Sequence, residues 1–283
     1  MPRMRKWHIM AVVTAITAVL AGCAPADDKQ AGGTETCEKS SLPTLKAGKL
    51  TFGTDQPAYP PWFVDNNPAN GRGFESSVAY AVAEKLGYQQ ADVQWVSVPF
   101  NAAIAPGPKA FDANLNQFSI TDERRNAVDF SSPYYDVTQA VVTTNSSPAA
   151  RVTTLDALRK LRLGAQVGTT SYQAAKDLGT SAPVSVYNNN DDAKAALTSG
   201  QIDALVLDLA TAFQVQNELI EAKLVGQLPS GTGKPEQFGI VLDKDSRLTE
   251  CVSGAVDALR ADGTLAGLQQ KWLVEAGNAP VLK

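Results

Sequence analysis

Histidine is almost missing from this chain of 283 residues: the single imidazole is His8. Everything after it lacks the side chain that Ser-His-Asp and Cys-His nucleophilic chemistry and His-ligated zinc depend on, which excludes those classes for the folded part. Cysteine is nearly as scarce, with 3 residues, Cys23, Cys37 and Cys251. Clustered positive charge is absent as well. The chain has 25 Lys plus Arg against 29 Asp plus Glu, a formal charge of -4, and Arg3, Arg5 and Lys6 stand apart at the N-terminus, leaving 22 against 29 beyond them. A mildly acidic body without a basic stripe offers little to a phosphate backbone, and no nucleic-acid partner is expected. One long apolar run occurs, Ile9 to Leu20, and it is shorter than the ~20 residues of a membrane span. What is present, 44% hydrophobic and 19% charged residues, suffices for one or two sizeable cores and excludes a disordered polymer.

Arg3, Arg5 and Lys6 followed by the run IMAVVTAITAVL have the charged and apolar regions of an export signal. The run ends in Leu20-Ala21-Gly22-Cys23, which resembles the bacterial lipobox, where small residues fit the lipoprotein peptidase and the Cys thiol receives the diacylglycerol. The alternative is an ordinary signal peptide with a coincidental Cys. The lipobox reading makes residues 1–22 a signal peptide, Cys23 the lipidated residue and 23–43 a polar, Gly-containing tether, with acyl chains holding the protein at the extracytoplasmic face of a bacterial cell membrane. Disulfides persist in that compartment. Cys37 and Cys251 either pair, tying the start of the fold to a late helix, or stand as two buried thiols. The polar surroundings of Cys37, with little for a thiol to pack against, favour the bridge.

From Lys49 on, strand-like and helix-like segments alternate, the pattern of α/β architecture with mainly parallel sheets. Leu50 and Phe52 alternate in KLTFGTD, and Phe74, Val78, Val82 and Leu86 recur every four residues in a helix that Gly87 should stop. Strands are expected at 94–98, 111–117 and 138–143. A second set follows: helix 155–161, strand 163–167, a helix opening near Thr170, strand 184–187, helix 191–199 and strand 203–207. After the Pro/Gly-rich PSGTGKPEQ come a strand, FGIVL, and two helices, RLTECVSGAVDALRADG and TLAGLQQKWL.

The segments TDQPAYPPWF with Gly73-Phe74, FDANLNQFSITDERRNAVDFSSPYY, LRLGAQVGTTS, GQIDALVLD, EQFGIVLDK and ALRADGTLAGLQQKWL, in that order and spacing, resemble the extracellular solute-binding proteins, family 3, of polar amino acid ABC transporters. The resemblance runs from about Lys49 to Leu273. It implies the two-lobed, type II periplasmic-binding-protein fold, with each lobe a sheet flanked by helices. Lobe 1 is expected at 44–136 plus 239–283 and lobe 2 at 137–238, with a two-strand hinge near Tyr135 to Val137 and Phe238 to Ile240.

A free amino acid presents a carboxylate, an ammonium and a side chain, so its receptor needs a fixed cation, an anion and a selective pocket. Arg124 follows the candidate N-cap Thr121 by three residues. A cation in a helix's first turn opposes the macrodipole, so it is either a surface residue like Arg125 or there for a purpose; the resemblance implies that it clamps the ligand carboxylate. Gly168-Thr169-Thr170-Ser171 opens a helix with hydroxyls and unused N–H groups, an anion site or plain N-capping. The resemblance gives Thr170 a bond to the same carboxylate. Asp208 ends the apolar strand ALVLD, where open α/β sheets bind ligands; it either caps the next helix or, as the resemblance implies, pairs the ligand ammonium. Tyr59 and Phe100 match positions that stack on ligand, and Phe118 and Ser119 match a segment giving backbone and hydroxyl contacts, although each aromatic also has a packing explanation. Asn116 and Gln117 stand where many relatives carry small residues, and their amides would narrow the pocket or add hydrogen bonds. Asp55 would meet a cationic ligand side chain or cap its own loop.

The expected function is capture of a small zwitterionic solute, an L-amino acid, and its delivery to an ABC permease by a monomeric lipoprotein, without cofactor, metal or catalysis. Two alternatives remain open: an ectoine-like compatible solute in an aromatic cage of Tyr59, Phe100 and Phe118, and a dehydratase-type enzyme on the same fold with Glu75 or Asp55 as acid/base.

Overall fold

The computed structural model describes residues 37–229, 235–273 and 279–283. The signal peptide, the lipidation site Cys23 and the tether up to residue 36 lie outside the described residues. Strands β1 (Leu50–Thr54), β2 (Val93–Ser97), β3 (Ala113–Asn114) and β4 (Val128–Phe130) form a first sheet together with β12 (Val241–Asp243), in the order β2-β1-β3-β12-β4. Strands β6 (Gln139–Thr144), β7 (Leu163–Gln166), β8 (Ser185–Tyr187), β9 (Ala204–Asp208) and β10 (Ala222–Gln227) form a second, in the order β10-β6-β9-β7-β8. Between them β5 (Tyr135–Val137) and β11 (Glu236–Phe238) pair antiparallel, Tyr135 opposite Phe238. The chain leaves the first sheet through β5 and returns through β11.

Each sheet is mixed. β1 pairs parallel with β2 and β3, and β7 with β8 and β9, while β12, β6 and β10 run antiparallel to their neighbours. The parallel strands are those joined through helices. The antiparallel ones carry the chain into or out of a sheet. The run 111–117 contributes only the two-residue β3, because Gln117 takes a positive φ of 50° and turns the chain out of the ladder. FGIVL splits in two at Gly239: Gly239 N donates to Phe118 O and Ser131 N to Ile240 O, so Phe238 belongs to β11 and Val241 to β12.

The helices are α1 (Phe74–Lys85), α2 (Phe100–Ala103), α3 (Asp122–Arg125), α4 (Leu155–Leu158), α5 (Thr170–Asp177), α6 (Asn190–Thr198), α7 (Leu209–Glu218), α8 (Thr249–Ala261) and α9 (Thr264–Trp272). Phe74, Val78 and Val82 of α1 are fully buried against Leu50 and Phe52 of β1 and Val252 and Val256 of α8, as their four-residue spacing requires. On the other face Phe100, Phe111, Phe118, Phe130 and Val241 make a smaller cluster. The second sheet is covered on both sides. Leu205 and Leu207 of β9 face one cluster and Ala204 and Val206 the other, which is why ALVLD reads as a continuous apolar run.

Cys37 and Cys251 are bonded, fastening the first described residue to α8 across 214 positions of sequence. Residues 279–283, expected with the first lobe, pack instead on the second sheet. Gln227 N donates to Pro280 O at 2.7 Å, Leu282 N donates to Gln227 O at 2.9 Å, and Leu282 is buried beside Val225 and Leu228. The unpaired edge of β10 accounts for this, since it offers backbone groups that the last residues can satisfy.

Candidate functional site

Thr121 is the N-cap of the single-turn α3 and its hydroxyl accepts from Arg124 N at 3.1 Å. That turn aims the Arg124 side chain inward, where it is 8% exposed, unlike the exposed Arg125 beside it. Its guanidinium donates to Ser119 O at 2.7 Å and to Gly168 O at 2.9 Å. The latter carbonyl stands at the head of α5, so the bond joins the two sheet-bearing halves. The guanidinium also lies 5.5 Å from the Phe100 ring centre, and Phe100 is stacked at 4.8 Å on Phe118. Burial lowers the guanidinium's pKa, with Glu236, Asp208 and Glu123 opposing. Among the described residues no carboxylate is within ion-pair distance of it.

Asp208 ends β9 and stands at the N-cap position of α7, yet its side chain makes no capping bond. It accepts from Gln139 Nε2 at 2.8 Å instead. It is half-buried. Burial first, and the neighbouring Glu236 second, push its pKa up to about 8. Thr169 caps α5, accepting from Tyr172 N at 3.1 Å, which leaves the N–H groups of Thr170 and Ser171 in the first helical turn without intrahelical partners. Thr170 Oγ1 meets Ser119 Oγ at 3.1 Å, a second contact between the halves, and Trp62 Nε1 donates to Thr211 Oγ1 at 2.9 Å, a third.

These groups surround a cavity of ≈ 50 Å³. Of the residues expected at a site, Asp55, Tyr59, Phe100, Asn116, Gln117, Arg124, Thr170 and Asp208 all line it. Phe118 and Ser119 do not. Phe118 is fully buried behind Phe100, so the three rings Tyr59, Phe100 and Phe118 form no cage; Ser119 lies at the rear, bonded to Thr170 and to Glu236 Oε1 at 2.6 Å.

Asp55 follows β1 directly and is held by two backbone donors, Gln56 N at 2.7 Å and Phe100 N at 2.9 Å. Tyr59 has Lys194 Nζ 5.4 Å from its ring centre, and burial together with Asp191 raises its pKa. Gln117 is fixed from below. Its N donates to Glu75 Oε1 at 2.7 Å, its Nε2 donates to Glu75 Oε2, and Tyr134 donates its hydroxyl to the same carboxylate. Glu75 is fully buried, and burial pushes its pKa up to about 7 against these three donors.

Sequence reasoning did not single out Gln56, Asn189, Asn190 and Thr211, which line the cavity, nor Gln139, which bonds to Asp208, nor Glu236, which bonds to Gln139 and Ser119 behind it. For Gln139 a signal existed: a large polar residue opens the buried strand QAVVTT. For Glu236 there was none, because its partners lie far away in sequence.

Comparison with known proteins agrees with this architecture. The model of the bacterial extracellular solute-binding proteins, family 3, matches residues 50–275. The chain is 32% identical over 240 residues to the L-arginine-binding protein of Pseudomonas aeruginosa, covering 82% of this chain and 91% of that protein. It is 26% identical over 280 residues to the ABC transporter glutamine-binding protein GlnH of Bacillus subtilis, covering 96% and 98%. A solved structure of an ancestral arginine-binding protein bound to glutamine superposes with a TM-score of 0.67 at 31% identity, over 80% of this chain and 98% of that one. With its two helix-flanked mixed sheets, crossing strands β5 and β11 and a polar cavity between the halves, the chain belongs to family 3 of the bacterial extracellular solute-binding proteins.

Proposed function

We propose that this protein captures a free L-amino acid and delivers it to the permease of an ABC importer. The observation that carries the reading is a pair of ionisable groups of opposite kind, a guanidinium and a carboxyl, neither with a counter-ion among the described residues. Among the described residues, Arg124 is buried with backbone carbonyls as its hydrogen-bond partners, and Asp208 has the Gln139 amide. They come from opposite halves of the molecule and line the same cavity. Buried charges without counter-ions are costly, and a zwitterion presents the two complementary charges at one carbon. The ligand carboxylate would lie against Arg124 and the N–H groups of Thr170 and Ser171, and its ammonium against Asp208. Its side chain would reach toward Tyr59, Asp55, Asn116 and Gln117.

In this reading residues 44–136 with 239–273 form one lobe, 137–238 with 279–283 the other, and β5 and β11 are the hinge. The ligand favours the closed arrangement because it bonds to both lobes at once, and closure is what the permease reads. Residues 1–22 direct export, and lipid on Cys23 holds a monomer at the extracytoplasmic face of the cell membrane. Membership of a family of binding proteins and the complete burial of Glu75 outside the cavity support binding over catalysis.

Thermal unfolding of the purified protein, freed of co-purified ligand, against single amino acids and ectoine-like solutes tests the proposal. A ligand at 100 times its Kd adds about 2.7 kcal/mol to the folded state. A shift with one or a few amino acids is the expected result; a shift with ectoine-like solutes alone, or with nothing in the panel, overturns the assignment.

A further inference from the structure

Asp208 and Glu236 come from different segments, the end of β9 and the start of β11, yet both accept from one nitrogen. Gln139 Nε2 donates to Asp208 Oδ1 at 2.8 Å and to Glu236 Oε2 at 3.0 Å. A shared donor holds the two carboxylates within ~6 Å of each other, close enough for the Glu236 charge to oppose ionisation of Asp208.

The cluster is also short of hydrogens. Gln139 Nε2 has two, both directed at the carboxylates, with Thr170 Oγ1 farther off at 3.5 Å. Ser119 Oγ donates to Glu236 Oε1. Against these stand four carboxylate oxygens and Gln139 Oε1, which is buried without a partner on a residue that is itself 8% exposed. An acceptor-rich, enclosed cluster calls for a further donor, either a proton on one carboxyl or a cationic group from outside.

We propose that Asp208 and Glu236, both held by the Gln139 amide, together retain one proton, and that the ammonium of the incoming solute displaces it, so that Glu236 makes capture proton-linked and selective for a cationic head group. The inference rests on the assignment of the ligand ammonium to Asp208. In the exchange one carboxyl O–H bond breaks, its electron pair stays on the carboxylate and the proton passes to water. The ammonium's charge replaces the proton's, whereas an uncharged analogue would leave the carboxyl protonated and gain no ion pair.

The surroundings are consistent with this balance. Facing Asp208 are Gln139 on β6, Glu236 on β11, Arg124 on α3 and Glu75 on α1, with the phenols of Tyr134 and Tyr135. Facing Glu236 are Ser119, Gln139, Asp208 and Arg124. Arg124 is the one cation among them, and its guanidinium bonds to backbone carbonyls. Because Asp208 is raised to about 8 by burial and by Glu236, affinity should climb with pH through neutrality and level off above about 8. Glu236 is a positioning residue here, acting through Asp208 and Gln139.

Carboxyl ¹³C resonances of the purified protein, followed from pH 4 to 10, test the shared proton in the wild type, Asp208→Asn, Glu236→Gln and Glu236→Ala. The same samples are then given an equimolar mixture of the twenty protein L-amino acids in weakly buffered solution at pH 7, with thermal unfolding recorded alongside. Besides the buried Glu75 carboxyl, one further carboxyl titrating well above the ordinary range in the wild type, absent in Asp208→Asn and lowered by at least ~1 pH unit in either Glu236 variant, is the expected result. On mixing, the wild type should release a large fraction of one proton per molecule and the Glu236 variants a small part of that. Ordinary titration of both carboxyls, or ligand binding without proton release, overturns the proposal. If the high titration is present and the mixture produces neither a thermal shift nor a proton, the amino-acid reading fails and the linkage with it, while the shared proton stands.

Discussion

Replacing Arg124 by alanine removes the one cation that lines the cavity among the described residues and three of its contacts at once: the bonds to Ser119 O and Gly168 O and the layer on Phe100. The ligand carboxylate would then lie in an enclosed site with only neutral donors, the hydroxyl of Thr170 and the N–H groups at the start of α5. Leaving a buried charge without its partner costs about 3–5 kcal/mol, a loss of roughly a hundredfold to several thousandfold in affinity. The bond to Gly168 O also joins the halves, so part of the loss should appear as a less favourable closure. Calorimetric titration with the amino acid giving the largest thermal shift measures the total. Arg124→Lys keeps the charge and loses the planar fork, and should fall between wild type and alanine. Arg125→Ala, one residue on, is the control: Arg125 is exposed and packs over Phe130 away from the cavity, so affinity should stay within about twofold, in line with the small effects of most surface substitutions. If Arg124→Ala folds and binds within a few-fold of wild type, Arg124 is not the carboxylate clamp and the reasoning fails.

Reduction of Cys37–Cys251, or the double replacement by serine, releases a loop spanning 214 positions; chain entropy alone sets the loss near 5 kcal/mol, a fall of about 10–20 °C in Tm by scanning calorimetry. An unchanged Tm would show that the bridge does not constrain the unfolded chain. Gly73→Ala places a side chain at φ +100° with its Cβ 2.4 Å from Trp62 O, a backbone atom that cannot swing aside, so urea unfolding should register a loss of at least about 3 kcal/mol. Glu75→Gln tests the buried carboxyl. With a folded pKa of about 7 against an ordinary 4.5, Glu75 contributes stability that is full below pH 4.5 and lost as pH rises through 7, about 3 kcal/mol in all. Urea titrations at pH 5 and pH 8 should therefore differ less in Glu75→Gln than in the wild type, and equal differences would refute the buried, proton-retaining carboxyl.

Local residue chemistry made part of the site legible before any coordinates. Thr121 and Arg124 are three residues apart, and the cap that fixes the turn also fixes the direction of the guanidinium. Asp208 was legible because an apolar strand that ends in a carboxylate places it at a sheet's carboxyl edge. Phe118 illustrates the limit of such reasoning. An aromatic beside a binding segment is as suited to support as to contact, and only the stacking of Phe100 over it shows which face meets the cavity. The strands β4 and β10 escaped notice because three residues, or a run interrupted by Lys223 and Gly226, carry no period of their own and are held by pairing with neighbours.

The sequence by itself determined the alternation of strands and helices, the amphipathic face of α1, the absence of imidazole chemistry after His8 and the placing of a cation, a helix start and a carboxylate at element ends, whose roles at a site came from the family resemblance. Those follow from residue type and spacing within a few positions, where the backbone's own geometry sets what is near what. Tertiary structure decided that Gln139 and Glu236, 97 residues apart, meet behind Asp208, that Glu75 reaches Gln117 from another element, and that residues 279–283 return to the second sheet. Such contacts arise where β5 and β11 bring distant segments side by side, and the desolvation that shifts their proton affinities exists only once the surrounding protein has excluded water.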